Sequence, residues 1–156
     1  MQQKCDLYLS ESVCSPEFKY LKIYAQNFVY EESKKYSGYL EVNVDRIKLL
    51  VIVSELKKKG ITSYSVPIKY RDSENLTIEQ ALVLAQKYAE SLGGKIVPDH
   101  KNTPSMPPLF WQFSMSGSEL DEKAGGIVMI DRVDGHVWDL NEHEEYMHDF
   151  NNIFPN

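Results

Sequence analysis

The sequence is short of several features that would each name a chemistry. It has only two cysteines, Cys5 and Cys14, and no Cys-x-x-Cys pair. That excludes a cysteine-built zinc ribbon and a thioredoxin-like redox motif; Cys5 and Cys14 are compatible with one disulfide, and two free thiols are the expectation for a reducing compartment. No apolar run approaches the roughly 18 residues of a membrane span; the longest burst is Leu49-Leu50-Val51-Ile52-Val53. The opening stretch MQQKCDLYLSESVC lacks the apolar core of a secretory signal, so a cytoplasmic protein is expected. There is no Gly-x-Ser-x-Gly elbow, no Gly-x-Gly-x-x-Gly and no Gly-Lys-Ser/Thr phosphate loop. The common hydrolase and nucleotide-binding signatures are thus missing, and no cofactor is expected.

What is present is an ordinary globular balance. The chain has 156 residues, 42% hydrophobic and 26% charged, with ten tyrosines and six phenylalanines to fill a core. That length suits one domain, with 1–75 as a helical and edge-strand portion and 76–156 as an α-β-β-β-α portion. The charge is uneven. Residues 119–149 carry ten carboxylates against Lys123 and Arg132 alone, a net −8 in a chain whose total is −6. Such a segment repels phosphates and suits either a basic partner or nothing more than solubility.

Local patterns place the elements. Ser15-Pro16-Glu17 reads as a helix start, and Phe18, Leu21, Tyr24, Ala25, Phe28 and Val29 follow at helical spacing through 15–35. A second helix runs from a cap at Asn43 or Asp45 to Lys57-Lys58-Lys59, with Gly60 as its stop. Tyr64, Val66, Ile68 and Tyr70 alternate as a strand, which Pro67 confines to a sheet edge. Thr77 and Gln80 have capping-box spacing ahead of an apolar stripe that ends at Gly93-Gly94, which predicts a helix over 77–92. Strands are predicted at 109–115, 126–131 and 136–140, with Asp134-Gly135 as the turn chemistry of the last pair. Asn141 and Glu144 have the spacing to cap a short final helix edged by Tyr146, Met147 and Phe150. The fold class expected is α+β: an antiparallel three- to four-stranded sheet packed by a helix, with an N-terminal helical portion.

NEHEEYMHDF, residues 141–150, nearly spells the His-Glu-x-x-His of a zinc protease. The spacing is one residue too long. On a helix His143 and His148 lie about 140° apart and do not share a metal, so no metal site is expected. Asp131-x-x-Asp134-Gly135 resembles part of a calcium loop without its bidentate acid, and reads instead as an aspartate-capped hairpin turn. Phe110, Trp111 and Phe113 suit either a base-stacking platform or a core strand. Next to an anionic segment the core reading prevails, and no nucleic acid is expected.

From about Leu76 to Phe154 the order is helix, strand, the aromatic strand LFWQF, then GGIVMIDRVDGHV and a tyrosine-containing acidic helix. This order resembles the small bacterial YrhB-like immunity proteins of polymorphic toxin systems. The resemblance implies a protein that binds and neutralises a toxin of its own cell, without catalysis. The expected partner is a cognate toxin or effector with a basic surface, and neither nucleic acid nor membrane. Charge and aromatic content single out Asp131, Asp134, His136, Trp138, Asp139, Glu142 and Glu145 as candidate contact residues. The alternatives are a small enzyme using carboxylates within 131–145, or a housekeeping interaction domain.

Overall fold

The computed structural model describes residues 3–100, 106–116 and 126–151. It is α+β and falls into two compact units. One comprises Met1–Asp72 with His143–Asn156, the other Ser73–Glu142. From His143 onward the chain belongs with the first unit.

The first unit is built round a strand. β1 (Lys4–Val13) pairs antiparallel with β2 (Tyr36–Tyr39) and β3 (Val44–Asp45) on one side and with β4 (Ser63–Pro67) on the other. Cys5, Leu7 and Leu9 project from one face of β1 into a core shared with Leu49, Ile52, Val53 and Leu56 of helix α2 (Arg46–Lys58). Asp6 points the other way and is fully buried. Its carboxylate accepts from the backbone N–H groups of Leu7, Glu41 and Val42 and from Arg71 Nη1 at 3.1 Å. Burial pushes the Asp6 carboxyl up, and these donors pull it back toward the charged form. Arg71 lies on a short helix, α3 (Ile68–Asp72), and also donates to the Val42 carbonyl. On β4 the Ser65 N–H donates to Asn151 Oδ1, and the Ser65 carbonyl accepts from the Tyr146 hydroxyl at 3.0 Å. These side chains cover a backbone edge that would otherwise offer unpaired groups.

Three expectations for this unit are corrected. The N-terminal portion is more than helices and an edge strand, since it holds a four-stranded sheet. The helix expected over 15–35 is a 3-10 turn (Pro16–Tyr20) and one turn of α-helix, α1 (Leu21–Tyr24), after which Ala25 is extended. The start is as read, with Ser15 Oγ accepting from Glu17 N–H. The continuation fails because Phe28 is drawn into the core against Tyr36, whose hydroxyl pins the chain by donating to Val29 O and accepting from Glu31 N–H. The alternation through Tyr70 stops at Pro67, and α3 begins at Ile68; among the described residues β4 pairs only with β1 and is the edge strand that Pro67 implies.

In the second unit, α4 (Ile78–Ser91) starts with the full Thr77–Gln80 capping box and ends at Gly93, φ +79. It covers a four-stranded antiparallel sheet in the order β5 (Lys95–His100), β6 (Phe110–Ser116), β7 (Ile127–Asp131), β8 (Val137–Trp138). Ala81, Ala85 and Ala89 let the helix lie close against Phe113, Met115, Val128 and Ile130. The proline-rich loop expected over 98–108 lies partly outside the described residues. Among the described residues no helix is long and apolar enough to cross a membrane. The last helix, α5 (Leu140–Asp149), begins in this unit and continues into the other.

Candidate interaction site at the hairpin turn

The turn between β7 and β8 is held from within. Asp131 is 1% exposed. Its Oδ2 accepts from the backbone N–H groups of Val133 and Asp134, and its Oδ1 accepts from Trp138 Nε1 at 2.9 Å. Trp138 is 5% exposed and packs on Phe110, ring centroids 5.1 Å apart. Gly135 takes φ +77, and a Cβ there would stand 2.7 Å from Leu84 Cδ1 on α4. Arg132 donates to Phe110 O and lies 3.7 Å above the Trp111 ring, while Trp111 Nε1 donates to Leu76 O. The turn is thereby fastened to the loop that precedes α4.

Two of the seven candidate contact residues are therefore interior. Asp131 and Trp138 shape the site but present no surface, which corrects their expected role. Asp139 has a local task as well. Its Oδ1 accepts from Glu142 N–H at 2.7 Å, so Asp139, not Asn141, caps α5. A carboxylate there also complements the positive end of the helix.

The other four meet solvent: Asp134, His136 and Glu145 are exposed, and Glu142 is partly so. His136 Nδ1 meets Asp134 Oδ1, and Nε2 lies 2.7 Å from Glu142 Oε2. A ring between two carboxylates satisfies both only when both nitrogens carry protons, so imidazolium is the form that fits. Burial alone would lower the ring's pKa; the bonds to Glu142 and Asp134 outweigh it and raise His136 above its ordinary value. For Asp134 partial burial acts upward, but His136 prevails and holds the carboxyl below its usual range. Glu145 lies one helical turn beyond Glu142 on α5 and is open to solvent.

Asp131, Asp134 and His136 also bring one ligand atom each within 4.8 Å of one another. Both Asp131 oxygens already accept N–H groups and each His136 nitrogen faces a carboxylate, so hydrogen bonding accounts for the arrangement. His143 is half-buried and His148 exposed on α5, at the spacing that separates them round the helix. Glu119, Asp121 and Glu122 lie outside the described residues.

Leu140 is a surface residue of the site that the sequence did not single out. It is 57% exposed in the first turn of α5, between Asp139 and Glu142. Its signal was an isolated leucine directly after a capping aspartate, too common a pattern to notice without the burial. Compared with protein-family models, curated proteins and solved structures, the chain has no match in any of the three.

Proposed function

We propose that this protein is a stoichiometric inhibitor of the immunity type, which neutralises a basic toxin of the same cell by covering it. One observation carries the reading. A hairpin held by internal hydrogen bonds and the start of α5 present Asp134, Glu142 and Leu140 outward, with the anchoring groups Asp131 and Trp138 buried. Outward carboxylates speed encounter with a basic surface, and a pre-formed turn limits the ordering cost of binding. The catalytic alternative asks for a carboxyl that is sheltered and held up toward neutrality. Asp134 is 60% exposed in its side chain and held down. That supports a binding face over carboxylate chemistry.

The test uses the protein encoded beside this gene, purified as its C-terminal domain. Association is followed by stopped flow at several salt concentrations. The combined Asp134→Lys, Glu142→Lys and Glu145→Lys variant should associate more slowly and with a flatter salt dependence than the wild type. Leu140→Ser should speed dissociation. If the triple variant keeps both the wild-type rate and its salt dependence, the acidic face is not the contact surface. If the neighbouring product does not bind at all, the immunity reading fails.

A further inference from the structure

Helix α2 carries apolar residues on its outer as well as its inner face. Leu49, Leu50, Ile52, Val53 and Leu56 are buried, yet Ile47 and Val51 on the outer face are 54% and 48% exposed. Helices of this kind are normally covered. The outer face does not stand alone. Val51 shares a groove of about 320 Å³ with Tyr20, Ile23 and Tyr24 of the 3-10 turn and α1. Ile23 is 68% exposed and Tyr20 44%. Scattered apolar side chains need no explanation, but a contiguous set marks a contact surface.

The charges along the same helix say what fits. On the side that Val51 occupies or flanks, Asp45, Lys48, Glu55 and Lys58 read minus, plus, minus, plus about a midpoint between Val51 and Ile52, while Arg46 and Lys57 lie on the opposite side of the helix. Lys48, Val51, Glu55 and Lys58 follow at steps of three, four and three residues, which keeps them on one side of the helix. Reversed end to end, the pattern becomes plus, minus, plus, minus. Each position then meets its opposite. We infer that this face binds a second copy of the chain, with the two α2 helices antiparallel about a two-fold axis between Val51 and Ile52. Positions equidistant from that point face each other, so Lys48 meets Glu55 of the second copy, Asp45 meets Lys58, and both pairs occur twice. A two-fold interface requires this kind of self-complementarity. Val51 and Ile47 of each copy enter the groove of the other beside Tyr20, Ile23 and Tyr24.

The ion pairs now made within the helix leave room for the exchange. Lys48 is 3.7 Å from Asp45, whose nearer partner is Lys4 at 2.8 Å, and Lys58 is 3.3 Å from Glu55; Lys48, Glu55 and Lys58 are solvent-exposed. Such pairs are held weakly and can be traded for pairs across an interface. The association does not depend on toxin binding, which is assigned to carboxylates of another part of the chain.

The experiment is sedimentation velocity on the full chain, over about 1 µM to 1 mM, a range of three decades in affinity. The wild type should show a concentration-dependent monomer–dimer equilibrium. Lys48→Glu sets two carboxylates against each other at each end of the interface, and Glu55→Lys sets two ammonium groups there. Each single variant should weaken self-association about tenfold or more, the effect of turning two attractive pairs into two repulsive ones. An equimolar mixture of the two variants should recover dimers, because in the mixed dimer both pairs between positions 48 and 55 set a glutamate against a lysine. Val51→Ser should weaken association in all these backgrounds, and circular dichroism checks that each variant is folded. A wild type that remains monomeric to the highest concentration would overturn the inference. So would a mixture that associates no better than the single variants.

Discussion

Trp138 Nε1 donates to Asp131 Oδ1 at 2.9 Å across the narrow end of the β7–β8 hairpin, and both residues are buried. The indole thus fixes one carboxylate oxygen while the turn's own N–H groups fix the other. Replacing Trp138 by Phe keeps most of the packing and leaves Asp131 Oδ1 without this donor, at an expected cost of about 1–3 kcal/mol. Trp138→Ala should cost about 3–5 kcal/mol, since the ring against Phe110 is lost as well. Urea denaturation of both variants measures the difference. Equal losses would mean that the hydrogen bond contributes more than the ring.

Gly135 sets the position of the turn against α4. Gly135→Ala adds a methyl 2.7 Å from Leu84 Cδ1 and forces a non-glycine residue to φ +77. The strain of the left-handed conformation and the overpacking together should cost about 2–4 kcal/mol. The double variant Gly135→Ala with Leu84→Ala should recover the packing part only. A Gly135→Ala protein that melts at the wild-type temperature would refute the contact.

The His136 clamp should leave a signature in pH. Its stabilising effect is fully present below the ordinary histidine value of 6.5 and is lost as pH rises through the raised folded value. The Asp134 carboxyl is held down, so its share is present above 3.8 and is lost as pH falls through the lowered folded value. The margin of wild type over His136→Gln should therefore be widest between these limits and be lost as pH rises through the raised folded value. Solvent screening keeps it to no more than about 1 kcal/mol. Thermal melts of both proteins across this range give the profile, and a margin that grows toward alkaline pH would contradict it.

Asp6 and Arg71 form an ion pair in the first unit, with the carboxylate fully buried. Asp6→Ala takes an acceptor from the guanidinium and from the N–H groups of Glu41 and Val42, and should cost about 3–5 kcal/mol. Arg71→Met leaves the carboxylate its backbone donors and should cost less. In a double-mutant cycle the combined loss should fall short of the sum of the two, since the residues share one network. Strict additivity would show that they do not act together.

Asn151 guards the open edge of β4. Asn151→Ala leaves the Ser65 N–H buried without its acceptor, with an expected loss of about 1–3 kcal/mol. Hydrogen exchange at Ser65 reads the same event locally and should speed up in the variant. Unchanged protection there would mean another group has taken the place of the asparagine.

The sequence by itself determined those features whose causes are local. The Thr77–Gln80 box and Gly93 bound α4 as read, and Gly60 follows α2 at φ +78. The aromatic strand, the strand after it and the Asp134-Gly135 turn were legible because alternation and turn chemistry are encoded in neighbouring residues. β1 is also encoded locally, in Leu7 and Leu9 alternating with Asp6 and Tyr8, but an aspartate there reads by type as a surface residue. Only the tertiary structure supplies Arg71 and the backbone donors that let Asp6 be buried, across 65 residues of chain in the case of Arg71. The same distinction governs the acidic segment. Its charge was plain from composition, but Asp131 and Asp134 are identical in type and three residues apart. The pairing of Met129 with Trp138 turns the Trp138 indole inward toward Asp131, and the turn geometry leaves Asp134 outside. Which carboxylate anchors the fold and which meets solvent follows from that register, because a strand's alternate side chains face opposite ways and composition does not fix which way.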